Sequence, residues 1–230
     1  MNARLLGLFS GFPTRHFTDE IAQALRKNLP KRESLVFISA LPEEYAQNDD
    51  DGDGMHAMFA ERGMGFARHC VIDRRTGAGD AAKLLREADC IFLMGGEATW
   101  QMALIRGLKL IPALRESRAV ILGVSAGSMN MGRHVADVWE SKELYEGLGL
   151  TDIVMKGHYT EDAWFLPVLQ EMSMTHPVVA MEDESAIFIR EDAVWQLGVI
   201  HWIDRGRVTR LTDEMLRKIG NPSFLDPNGE

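Results

Sequence analysis

The sequence predicts an α/β protein with a doubly wound, mainly parallel sheet, helices on both faces and a short antiparallel extension near the C-terminus. Short apolar runs alternate with helix-patterned segments through the first half of the chain, the signature of strand-helix-strand units. Those runs are continuous rather than alternating, as strands covered on both faces should be. From about residue 177 the texture changes to short strands separated by turn signals.

The predicted strands are residues 5–10, 34–40, 69–72, 90–96 and 119–125. Between them, residues 18–29, 55–66, 79–88 and a stretch from 99 to 117 carry apolar residues at helical spacing. The antiparallel strands turn at Arg190-Glu191-Asp192 and at Asp204-Arg205-Gly206, and residues 220–230 read as loop. No Gly-, Pro- or Ser-rich linker and no repeat divides the chain, so residues 1–230 are expected to form one domain.

Composition narrows the function. A net charge of −9 disfavours nucleic acid, whose phosphates call for clustered Lys and Arg; the one basic cluster, residues 73–77, reads as a solvated loop. No apolar run nears the roughly 20 residues that span a bilayer, and no export signal is apparent, so a cytoplasmic location without membrane association is expected. Cys70 and Cys90 adjoin apolar runs and read as reduced core residues. The acidic run Asp49-Asp50-Asp51-Gly52-Asp53-Gly54 imitates the start of a calcium loop, but the twelfth position is Ala60 where a bidentate Glu is needed. It reads as a solvated loop, and no metal or organic cofactor is expected.

In a parallel sheet the reactive site lies beyond the carboxyl ends of the strands. Three segments reach such ends: Ser10 to Thr14, Met94 to Trp100, and Ser125 to Met129. The last is a Gly-x-Ser-x-Gly pattern, Gly123 to Gly127, between an apolar strand and a helical pattern, the setting of a strained nucleophile elbow. Ser125 is the candidate nucleophile. The amide of Ala126, at a helix N-terminus, and the Gly95-Gly96 backbone are candidate oxyanion donors. A helix N-cap serine is the alternative reading.

Serine needs a base. Of seven histidines, His69 opens a strand, His134 falls inside the helix expected after the serine, and His56 and His176 lie on helices or their edges. His158 can stand at a strand end, and His201 lies in a regular strand near a hairpin. The orders Ser125, Asp183, His201 and Ser125, His158, acid both remain open.

Taken together, the segments Phe92 to Met102, Gly123 to Ser128, Gly147 to Asp162 and Ala180 to Ile189 resemble peptidase family S51, the dipeptidase E and cyanophycinase group, which has a class I glutamine amidotransferase-like fold. The resemblance runs from the first strand to about residue 200. It implies Ser125 as nucleophile, His158 as general base, and Gly95, Gly96 and Ala126 as the oxyanion hole. Matching the family's acid to the position before Ser185-Ala186 implies Asp183, with Glu182 and Glu140 as alternatives.

The chain departs from the family where Glu97 and Ala98 replace a glycine and an asparagine, which concerns substrate contacts; Glu97, Thr99 and Tyr159 are expected to make them. Residues 158–177 contain no Lys or Arg, whereas relatives that take acidic side chains carry arginines there. The expected substrate is therefore a small peptide with a neutral or basic side chain, unless Arg133 or Arg15 approaches from another loop. The expected assembly is a monomer or homodimer. A serine esterase using His201, and a non-catalytic protein that binds a metabolite or partner through the same fold, are the rival readings.

Overall fold

The computed structural model describes residues 4–190 and 193–220. Strands β1 (Leu6–Phe9), β2 (Ser34–Ala40), β3 (Arg68–Ile72), β4 (Cys90–Gly96) and β5 (Val120–Val124) run parallel in the spatial order β1-β5-β4-β2-β3. Helices α1 (Asp19–Asn28), α2 (Tyr45–Glu61), α3 (Ala78–Glu87), α4 (Ala98–Gly107) and α5 (Ile111–Glu116) connect them, and α6 (Ala126–Met131) follows β5. Among the described residues no helix is long and apolar enough to cross a membrane.

The period of two along each strand divides the core between the sheet's faces. Leu6, Leu8, Val36, Ile38, Ile91 and Leu93 pack on one side. Phe9, Leu35, Phe37, Cys90 and Phe92 pack on the other. Each fully buried side chain of this size contributes about 1.5–3 kcal/mol relative to exposure, so both faces must be covered, which is why the runs are continuously apolar. Local signals agree with this division. Helix α1 is capped by Thr18, whose hydroxyl accepts from the Ile21 N–H, with Asp19 and Glu20 in its first turn and Arg26 and Lys27 in its last.

Beyond α6 come β6 (His134–Ala136), β7 (Leu144–Glu146), β8 (Val154–Lys156), α7 (Leu166–Met172), β9 (Val178–Met181), β10 (Ala186–Arg190), β11 (Ala193–Leu197), β12 (Ile200–Asp204), β13 (Arg207–Arg210) and α8 (Asp213–Gly220). The expected antiparallel extension is formed by β10 and β11, which add to the main sheet beside β1. The other late strands do not join it: β13, β12, β9 and β8 make a separate four-stranded sheet with its own core against α7. The turn at Arg190-Glu191-Asp192 and the loop at 220–230 fall mainly outside the described residues, and Gly220 ends α8.

Two local readings are corrected. The acidic run at 49–54 lies within α2 rather than in a loop. Gly52 lets this helix approach β3, since a Cβ there would stand 2.9 Å from a Val71 methyl. Asp49 and Asp53 are paired with Arg75 and His69. The basic cluster at 73–77 is a loop with Arg74 and Arg75 exposed, as expected, and it is anchored by the fully buried Asp73, onto which Arg75 forks. His134 is not in a helix: α6 stops at Met131, and His134 begins β6 opposite Glu146.

All six residues of α6 are buried, which requires the helix to lie against β4 and β5. Gly127 permits this. A Cβ there would stand 2.1 Å from the Leu93 carbonyl oxygen, while one on Gly123 would stand 2.7 Å from the Gly127 carbonyl carbon. Because the obstruction at 127 is backbone, Gly127→Ala should destabilise the protein by about 3 kcal/mol or more, measured as a lowered midpoint in urea unfolding.

Candidate active site

Ser125 lies between β5 and α6 at φ 50° and ψ −115°, a conformation costly for a residue with a Cβ. Its N–H is held by the Phe9 carbonyl of the neighbouring strand at 2.9 Å, and its carbonyl accepts from the Met129 N–H within α6. This tight strand-to-helix turn lifts the hydroxyl out beyond the end of the sheet.

His158 comes from the second sheet. The chain leaves β8 at Lys156, passes Gly157 and enters His158 at φ 57°. The imidazole is half-exposed. Its Nε2 lies 2.9 Å from Ser125 Oγ and its Nδ1 2.8 Å from Asp183 Oδ1. An ionised Asp183 can only accept, so Nδ1 carries the proton, leaving Nε2 to accept from the serine hydroxyl.

The three neighbouring carboxylates have separate partners. Glu182 Oε1 lies 2.8 Å from His201 Nε2, and Glu184 accepts from the Thr14 hydroxyl at 3.0 Å. Strand alternation would turn Asp183 away from Glu182 and Glu184, but β9 ends at Met181 and residues 182–185 form a turn. The turn, with Glu184 at φ 61°, separates them instead. The Ser125, Asp183, His201 order does not assemble, because His201 faces Glu182 from a regular strand. Glu140 lines the cleft beside Ser125, yet Asp183 occupies the Nδ1 side of His158.

Gly95 is adjacent to the serine: a Cβ there would stand 3.6 Å from Ser125 Cβ. Ala126 begins α6, where the first amides have no acceptor within the helix. Gly96 and Ala126 both line the cleft into which the hydroxyl opens, whereas the next amide, Glu97 N–H, is used by the Ala40 carbonyl.

Two clefts meet at Ser125 and His158. The larger, about 560 Å³, includes Glu97, Thr99, Glu140, Lys156, Trp139 and Trp164 in its walls. The smaller, about 320 Å³, is lined by Phe12, Met55, Met58 and Met94, with Arg15, Asp50 and Asp51. A wider cleft of about 1330 Å³ lies at the opposite ends of the strands, around Leu5, Asp89 and Val120, away from the serine. Tyr159 lines neither of the two clefts at Ser125. Its side chain turns into the second core, 4.7 Å from the His201 ring, while the reversed φ of His158 sends the imidazole outward.

Lys156 was missed by the sequence reading. It is buried and lines the larger cleft, its Nζ donating to the Gly157 carbonyl at 2.9 Å and sitting 4.3 Å from the Phe165 ring centroid. Among the described residues no carboxylate is within ion-pair distance of it. Burial pushes its pKa down to about 8, with the Asp183 charge opposing that shift. Residues 158–177 do lack Lys and Arg, but the cleft they border holds the Lys156 cation. Arg133 is committed to Asp152, and Arg15 belongs to the smaller cleft. Asp137, also in the larger cleft, is inhibited by burial from ionising, but bonds from the 139–141 amides and the Ser141 hydroxyl outweigh this and hold its pKa low. Ser10 and Gly11, which adjoin the His158–Asp183 pair, belong to a strand end that the sequence marks, whereas Lys156 sits in an apolar strand like any edge lysine and carries no sequence signal.

Residues 7–197 match the model of peptidase family S51. A peptidase from an acI-B1 Actinobacterium has a similar structure, with TM-score 0.71, 16% identity, and coverage of 92% of this chain and 95% of that one. A protein assigned as a peptidase E from Listeria monocytogenes EGD-e superposes with TM-score 0.64 at 18% identity, covering 91% of this chain and 100% of the other. At these identities the likeness is one of fold. Among curated proteins none matches this chain.

Gly11 packs directly against the His158–Asp183 pair: a Cβ there would stand 2.4 Å from Asp183 Oδ1 and 2.5 Å from His158 Cε1. Gly11→Ala should therefore separate the pair and lower hydrolytic turnover about 100-fold, measured as kcat on a peptide substrate, with the fold retained by circular dichroism.

Proposed function

The chain belongs to peptidase family S51, and from that premise we propose that it is a serine peptidase of small peptides using Ser125, His158 and Asp183. The observation that carries this reading is the continuous hydrogen-bonded relay from Ser125 Oγ through both nitrogens of His158 to Asp183. Ser125 Oγ attacks the peptide carbonyl while His158 Nε2 takes its proton; Asp183 orients the ring and stabilises the imidazolium. The Ala126 and Gly96 amides stabilise the oxyanion, with Gly95 keeping the approach clear. His158 then protonates the leaving amine, and water hydrolyses the acyl-enzyme by the same route.

A fluorophosphonate probe should label the wild type and not Ser125→Ala. His158→Ala should lower kcat by about 10⁴-fold, whereas His201→Ala should stay within about threefold of wild type. The reverse ranking of the two histidine variants would point to the esterase order, and a folded wild type that never labels would point to a non-catalytic binder.

Lys156 bears on the substrate. A buried cation with no carboxylate within ion-pair distance among the described residues favours a substrate carboxylate in the larger cleft, in place of the neutral or basic preference expected from residues 158–177. Glu97 and Thr99 are positioned to contact the remainder of the peptide there. The sign of the pH dependence follows from the lowered pKa: Lys156 is charged below about 8 and neutral above it. In a panel of Asp-X, Leu-X and Lys-X dipeptides, the Asp-X to Leu-X ratio of kcat/KM should be highest below that pH and fall as pH rises through it. Lys156→Met should bring the ratio toward one at every pH; a ratio unmoved by the substitution rejects this assignment.

A further inference from the structure

The exit of β1 contributes a hydroxyl that lies behind the relay. Ser10 is fully buried, and its Oγ accepts the His158 backbone N–H at 2.8 Å. The same oxygen is 2.9 Å from the Met181 carbonyl and 3.3 Å from Asp183 Oδ1, so its single proton is directed at the segment that carries the acid. Met181 O also accepts the Tyr159 N–H at 2.9 Å, which ties the residue after the histidine to the same point. The main chain completes the junction, with Ser10 N–H donating to Ser185 O at 3.3 Å and Glu184 N–H to Gly11 O at 2.9 Å.

Taking the Ser125–His158–Asp183 reading as its basis, we infer that Ser10 is a positioning residue, whose hydroxyl sets the register between His158 and Asp183. The two residues arrive on different strands and meet in irregular backbone, His158 at φ 57° and Asp183 next to Glu184 at φ 61°. No ladder hydrogen bond fixes either of them, and residues in this region of φ persist only where their surroundings hold them. Ser10 is the one side chain hydrogen-bonded to both among the described residues. Without it the His158 N–H loses its acceptor in a partly buried place, and Asp183 Oδ1 keeps only the imidazole. Ser10 touches neither the substrate clefts nor Ser125, so its effect should fall on turnover rather than on binding.

The experiment compares wild type, Ser10→Ala, Ser10→Cys, Ser10→Thr and Ser173→Ala. Ser173 is a control with the same office elsewhere: its buried hydroxyl donates to Gln170 O and accepts from Gly206 N–H, far from the relay. Steady-state kinetics on a dipeptide are recorded together with the downfield proton resonance of the His158 Nδ1–H at low temperature. Ser10→Ala should lose that resonance and about 10- to 100-fold in kcat, with KM within threefold. Ser10→Cys keeps the volume with a weak hydrogen-bonding group and should show the same losses; Ser10→Thr, which keeps the hydroxyl, should recover the resonance and most of kcat. Ser173→Ala should retain both. If Ser10→Ala and Ser10→Cys keep the resonance and a kcat within twofold of wild type, or if Ser173→Ala loses them equally, Ser10 is only a packing residue and the inference is overturned. A wild type with no downfield proton and no fluorophosphonate labelling instead removes the relay itself, which is a separate failure.

Discussion

The seating of α6 on the parallel sheet is the constraint from which the site follows. A six-residue helix cannot hold itself together in water, and its stability comes from burial. To be buried on every side it must lie closer to β4 and β5 than a side chain at 127 or 123 would permit. That proximity leaves no room for a gradual turn after β5, so Ser125 is held at positive φ between a strand hydrogen bond on its N–H and a helix bond on its carbonyl. The helix packing supplies the energy that maintains the strained serine, and it sets Ala126, the first residue of α6, in the wall of the cleft.

The strand ends around that turn then act as a shared mould. β1 lies between β5, which delivers Ser125, and β10, which follows Asp183 by three residues. Phe9, Ser10 and Gly11 consequently touch all three members of the relay through backbone carbonyl, side-chain hydroxyl and missing side chain in turn. A second sheet is needed only to bring His158 to this edge. It is attached by the Ser10 hydrogen bonds to His158 and Met181 and by the main core, in which Met155, Val179, Met181 and Ile200 pack, while its other face closes over α7.

Where burial alone decides structure, the sequence was legible. The limits of β2 and β4 coincide with their apolar runs, and the elbow was recognisable because Gly123 and Gly127 bracket a small segment between strand and helix patterns. The errors fall where a polar surface conceals regular structure. The acidic run in α2 resembles a loop because Asp49 and Asp53 are paired with Arg75 and His69, residues 16 or more positions away, and because Asn48 is buried through bonds to Ser39 and Leu41 rather than through apolar contact. Lys156 is the converse case. Its ammonium is retained in a buried wall by one carbonyl and one aromatic face, neither of which periodicity reveals.

The carboxylate that meets His158 could not be selected from sequence for a related reason. Glu182, Asp183 and Glu184 have nearly the same chemistry, so a pattern of residue types cannot rank them, and alternation applies only while the strand continues. The strand stops at Met181 because its neighbour β12 pairs no further than Ile200 opposite it, and the next residues must bend toward β10. In that bend each side chain leaves in its own direction: Glu182 toward the His201 imidazole, Glu184 toward Thr14 on the β1 exit, and Asp183 between them toward His158. Side-chain length reinforces the choice. Asp183 is already within hydrogen-bond distance of both Ser10 and His158, and an additional methylene at this position would have to be accommodated beside Gly11, where the space is filled by the carboxylate and the ring. Which carboxylate meets the His158 imidazole is thus a property of the turn and of the glycine facing it, two features separated by more than 170 residues of chain.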